Sequence, residues 1–114
     1  MKNIIWKITN TLLLFLLLYS AESYSQITAI HFNAEWNKNN DVEWFSKLKE
    51  CEKKSLFIEK DGIQKKYEIA VVPTIIIFKD GEEVKRFQAD ISFTMPATRE
   101  EIQEFIDDLI MSEF

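Results

Sequence analysis

One cysteine, Cys51, and one histidine, His31, bound the chemistry open to this chain of 114 residues. A lone thiol excludes an internal disulfide, and it excludes a dithiol that attacks and then resolves a mixed disulfide. One imidazole and one thiol lack the ligand number and spacing of a metal site, so neither a metal nor a cofactor is expected. Cys51 falls on the apolar face of a helical pattern, where a cysteine acts as a small buried hydrophobe with a raised pKa. Its functional alternative is a disulfide with another molecule. Glu50, Glu52, Lys53 and Lys54 flank it with mixed sign and supply no activating field. His31 lies inside an apolar run and is expected to be partly buried and hydrogen-bonded. The acidic pairs Glu82-Glu83 and Asp107-Asp108 read as solvated surface.

Two further stretches carry polar or rigid groups at informative places. Asn37-Lys38-Asn39-Asn40 follows Ala34-Glu35-Trp36. Asparagine caps helix N-termini well, so the plain expectation is that this loop starts a helix. The sharper one is that exposed amides and free backbone N–H groups there hold a carboxylate or a peptide. Val72-Pro73-Thr74 leads into the apolar run Ile75-Ile76-Ile77-Phe78. Trp36 is expected to be half-exposed beside the polar loop and Trp44 to belong to the core.

These residues need elements to position them. Gln26 to Asn33 reads as a buried strand. Asn40 and Glu43 suit a capping box opening a helix from about Asp41 to Glu52, with Trp44, Phe45, Leu48 and Cys51 on one face. Ser55 to Glu59 is a short strand, and Ile63 to Ile69 a short helix with Ile63 and Tyr67 inward. Val71 to Phe78 is a central strand by its β-branched and aromatic content. Asp80-Gly81 is a hairpin turn, returning through Val84 to Gln88, where Lys85 and Arg86 suit a sheet edge. Thr98 and Glu101 form a second capping box before a final helix carrying Ile102, Phe105, Ile106, Leu109 and Ile110 at helical spacing. The order β-α-β-α-β-β-α favours a mixed sheet covered by helices.

The first 25 residues read as an export signal: Lys2 and Lys7, the apolar run Leu12 to Tyr19, and Ser23-Tyr24-Ser25 before a cut at Gln26. The expected location is periplasmic or secreted. The alternative is an inner-membrane anchor through residues 4–19, although Lys7, Thr9, Asn10 and Thr11 interrupt it. Residues 26–114 then form one domain. Without Lys2, Lys7 and Glu22 it carries 12 basic and 18 acidic residues, which disfavours nucleic acid and anionic lipid. Its stability must come from a core, which 46% hydrophobic content with nine Phe and three Trp supplies.

Phe32-Asn33-Ala34-Glu35-Trp36 and Val72-Pro73-Thr74-Ile75-Ile76-Ile77-Phe78-Lys79-Asp80-Gly81, in this element order, resemble a thioredoxin from about Ile27 to Ile110. The resemblance implies an α/β three-layer sandwich. Its central mixed sheet has about four strands flanked by helices, and it is truncated at the N-terminus because the family's first strand and helix are missing. It implies a cis Val72-Pro73 bond and a binding groove of Trp36, Asn37, Asn40, Val72, Pro73 and Thr74. The family's Cys-Gly-Pro-Cys would follow Trp36, and its two cysteine positions hold Asn37 and Asn40. His31 stands where the family has a buried aspartate. Gln88 stands where the family has a glycine near the groove, and its side chain would crowd a peptide there. The expected function is an exported, redox-inactive thioredoxin-like domain with a binding or structural role. The expected partner is a polypeptide, and the chain a monomer or a weak dimer pairing through an uncovered sheet edge. The alternative is a thiol-disulfide role through Cys51 alone.

Overall fold

The computed structural model describes residues 26–113. The expected leader and the alternative anchor at residues 4–19 lie outside them. Among the described residues, no helix is long and apolar enough to cross a membrane.

Strand β1 (Ile27–Asn33) is followed by two short 3-10 helices, Glu35–Asn40 and Glu43–Lys47. Then come β2 (Glu52–Phe57), helix α1 (Ile63–Lys66), β3 (Thr74–Lys79), β4 (Glu82–Gln88) and helix α2 (Arg99–Met111). The strands make one sheet in the order β2-β1-β3-β4. β1 runs parallel to β2 and antiparallel to β3, and β3 and β4 form a hairpin. Asp80 and Gly81 turn that hairpin with φ of 52° and 84°, the twist that two-residue turns require.

Burial on both faces explains the isoleucine run. Ile75 and Ile77 pack with Phe45, Leu48, Ile102 and Ile106 on one face. Ile76 packs on the other with Ile30, Phe32 and Val72, against which Ile63 and Tyr67 lie. A strand buried on both sides reads as continuously apolar rather than alternating. The result is three layers: α2 and the 3-10 segments, the sheet, and α1. Thr98 Oγ1 accepts the Glu101 N–H at 3.1 Å, so the N-cap half of the second expected capping box forms. Arg86 does more than guard an edge. It donates to the Tyr67 and Glu68 carbonyls at 2.9 Å each, at the C-terminal end of α1, and pairs with Glu83 at 2.7 Å.

The helix expected over 41–52 is absent. Its place is taken by the 3-10 turn Glu43–Lys47 and an extended segment, and Val42 stands at the cap position with no side-chain hydrogen bond. Crossover length is the reason. β1 is 7 residues long, about 20 Å, and its partner in parallel register pairs Thr28 with Glu52, so the chain must travel back that far. The turn Glu35–Asn40 leaves residues 41–51 for the journey. An α-helix of that length reaches only about 16 Å, whereas 3-10 and extended backbone rise faster. Gln103 then fixes the outcome, bonding both the N–H and the C=O of Lys49 at 2.8 and 2.9 Å. β2 consequently begins three residues before the expected Ser55, with Lys53 and Lys54 exposed on it.

Candidate functional site

Register brings the two sequence anchors to one end of the sheet. Phe32 pairs with Thr74, and Thr74 with Gln88, so the turn after Asn33, the Val72-Pro73 bond and the chain leaving β4 share that end. The Val72-Pro73 bond is cis. Thr74 Oγ1 donates to the Val71 carbonyl at 2.7 Å. Of the six groove residues, Trp36 is exposed, Asn40 half-buried, and Asn37, Val72, Pro73 and Thr74 are buried. The last three form a floor rather than a contact surface.

The asparagines do not cap a helix, and Asn37 does not offer a free amide. Residue 37 is non-helical, with φ −107° and ψ 17°, and only 5% exposed. Its Nδ2 donates to Asn33 Oδ1 at 3.0 Å and to the Phe93 carbonyl at 3.1 Å. Its Oδ1 accepts from Asn40 Nδ2 at 2.9 Å. Asn33, buried at the end of β1, completes the network. Its Nδ2 donates to the Asn37 carbonyl at 3.1 Å and to the Asp41 carboxylate, and its Oδ1 also accepts the Ala34 N–H at 2.9 Å. Both Asn33 and Asn37 thus have both amide protons placed. Short polar side chains compete with backbone for such bonds, which is why this stretch turns tightly instead of entering an α-helix. A fully satisfied buried network of this kind holds one geometry.

Phe93 was not singled out by its sequence context, yet it completes the site. Trp36 is 65% exposed and meets the Phe93 ring edge-on at 5.1 Å between centroids. Phe93 is itself 43% exposed, and Ile91 nearby is 99% exposed. Asp90 builds the turn that presents them: its carboxylate accepts from the Ser92 hydroxyl at 2.6 Å and the Ser92 N–H at 3.0 Å. Those bonds, the Ser92 hydroxyl foremost, hold the Asp90 carboxyl below its ordinary range. They also hold Phe93 at φ 61°, a left-handed conformation that bulky residues rarely adopt. The signals available were the Asp-x-Ser-x-Thr pattern of an Asx turn and the spacing of Asn33 to Asn37. Trp44, by contrast, is half-buried against the core.

His31 lies on the floor of the same sheet face, 5% exposed, with Nδ1 3.4 Å from Ser55 Oγ. Burial pulls its pKa below the usual imidazole range, opposed by the Asp41 carboxylate. Cys51 is elsewhere. It precedes Glu52, which pairs with Thr28, so it sits at the opposite end of β1 from Asn33. It is half-buried, packs against the Phe45–Leu48 cluster, and burial raises its thiol pKa. Among the described residues no group of His, Cys, Asp and Glu is arranged to hold a metal ion.

No family model matches the chain. A thioredoxin from Schistosoma mansoni superposes with a TM-score of 0.59 at 20% identity, covering 83% of this chain and 87% of that one. A thioredoxin from Fasciola hepatica gives 0.53 at 21% identity over 82% and 89%. A mutant thioredoxin from Halobacterium salinarum gives 0.59 at 16% identity over 75% of each. Glutaredoxin 3 of Danio rerio is 33% identical over 69 residues, which is 53% of this chain and 21% of that protein. The chain thus spans about a fifth of the length of that relative. The element order, the sheet and these likenesses agree: the chain has the fold of the thioredoxin-like superfamily.

Proposed function

We propose that this is an exported, redox-inactive thioredoxin-like domain that binds a polypeptide through the exposed pair Trp36 and Phe93. The observation carrying the reading is the buried Asn37 side chain. Its amide protons and its oxygen are all bonded within the protein, so the position of an attacking thiol has become a structural strut. Beside it, two exposed rings in edge-to-face contact present apolar area of the kind that anchors interfaces. The basic start, apolar run and small residues of the sequence over 1–25 support export. The test is recovery of the full chain from its native source with its bound polypeptide. Trp36→Ala, an exposed change, should lower the co-recovered polypeptide at least tenfold, as loss of a tryptophan anchor does. Equal recovery with Trp36→Ala sinks the assignment.

A second reading, thiol-disulfide exchange through Cys51 with an external thiol resolving it, has the likeness to glutaredoxin 3 as support. The position of Cys51 at the other end of β1 and its raised pKa oppose it. Reduction of a disulfide substrate by the full chain separates the two. No turnover is expected in wild type or in Cys51→Ser, and turnover lost in that variant would establish the second reading.

A further inference from the structure

The 3-10 segment that replaces the expected helix leaves space beneath it. A cavity of about 420 Å³ lies between residues 41–46 and the face of β1 and β2. That size falls within the roughly 300–1,000 Å³ of small-molecule sites. Phe45 and Phe57 wall it, His31 and Ser55 lie on its floor as a cross-strand pair, and Asp41 and Glu43 stand on its lining. We propose that this cavity binds a small organic cation, a primary amine carried on a compact apolar body.

Three observations converge on that chemistry. The first is His31 Nε2, the one buried side-chain nitrogen or oxygen among the described residues with no hydrogen-bond partner. Buried polar groups are otherwise satisfied almost without exception, so an orphan on a cavity-lining side chain marks a place for a partner from outside. In the tautomer whose Nδ1–H donates to Ser55 Oγ, the one an entering ammonium selects, Nε2 carries the lone pair and accepts. The second is charge. Asp41 and Glu43 line the cavity, and no lysine or arginine does. Asp41 gives one oxygen to Asn33 and keeps the other. A hollow rimmed by carboxylates and no cation repels an anion and concentrates a cation. The third is the wall: phenyl rings accept an apolar body and attract an ammonium over their faces. An ammonium brings three donors and no acceptor, the complement of an imine nitrogen and two carboxylates. The inference does not rest on the polypeptide reading, which uses the Trp36–Phe93 surface.

The experiment titrates 2-phenylethylamine into the full chain and follows the His31 imidazole and the Phe45 ring by NMR. Phenylacetate and ethylbenzene serve as the anionic and neutral probes. Saturable shifts are expected for the amine, with each control at least about tenfold weaker. Asp41→Asn and Glu43→Gln change exposed residues while keeping their hydrogen-bonding shape. Each should weaken the amine roughly threefold to fivefold. No saturable shift with the amine, equal binding of phenylacetate, or undiminished binding in the double variant would each overturn the proposal.

Discussion

The two ends of β1 have opposite characters. At the Asn33 end, buried carboxamides bond to one another, to backbone and to the Asp41 carboxylate. At the Ile27 end, the one thiol lies half-buried against apolar side chains. A thiolate is activated by a helix N-terminus or a nearby cation. The first end has turned its helix start into a 3-10 strut, and at the second, burial outweighs the neighbouring Lys53. The lesson is that the polar end holds no gap: its space is filled by groups whose hydrogen bonds close on themselves, so the loop depends on asparagine for its shape.

The contrast breaks most severely at Asn33. Asn33→Leu keeps the branching of the side chain at a larger volume but strands the Asn37 amide and the Ala34 N–H and takes a donor from the Asp41 carboxylate. It should destabilise the chain by about 3 kcal/mol, read as a lower denaturant midpoint. A change below about 0.5 kcal/mol would mean that the network is ornamental. Asn37→Ala should cost about 2 kcal/mol by the same measurement, because Asn33 Oδ1 and the Phe93 carbonyl each lose a donor.

His31 offers a sharper and smaller probe. Its pKa is lowered in the folded chain, so the unfolded chain binds the proton more readily. Stability is then fully present above the ordinary value of 6.5 and declines as pH falls from there towards the depressed native value. Denaturant midpoints measured across that window should fall in the wild type and stay level in His31→Gln. A parallel decline in the variant would assign the effect to other groups.

The smallest effect is expected at the other end. Cys51→Ser should shift stability by less than about 1 kcal/mol, since the side chain is only half-buried and its volume is retained. Alkylation of Cys51 by iodoacetamide at neutral pH should run several-fold slower than that of a free thiol and quicken only as pH passes above 9.0, the thiol's ordinary value. A rate matching glutathione at neutral pH would restore Cys51 as a reactive group.

Much of the scaffold was legible because periodicity and turn chemistry are local. The Ile75–Ile77 run, the Asp80-Gly81 hairpin and the Thr98–Glu101 cap each depend on neighbours within a few positions. The helix over 41–52 was misread for the opposite reason. Its apolar spacing is sound, and Phe45 and Leu48 are indeed buried, but the span that the crossover must cover is set by the β1–β2 register. The candidate site was half legible. Trp36 and the asparagines announced themselves by position, whereas Phe93 reaches them across 56 residues of chain, through a bond to Asn37 that no spacing rule foretells.

Residue types alone determined that these 114 residues hold no dithiol, because they contain one cysteine. They determined too that a doubly buried strand follows Pro73, since only a core on both faces accommodates consecutive isoleucines. Tertiary structure decided how the asparagines are used. It folded Asn37 inward, set Phe93 against Trp36 and opened a hollow over His31. Those outcomes follow from strand register and crossover length, quantities that exist only once distant segments have paired.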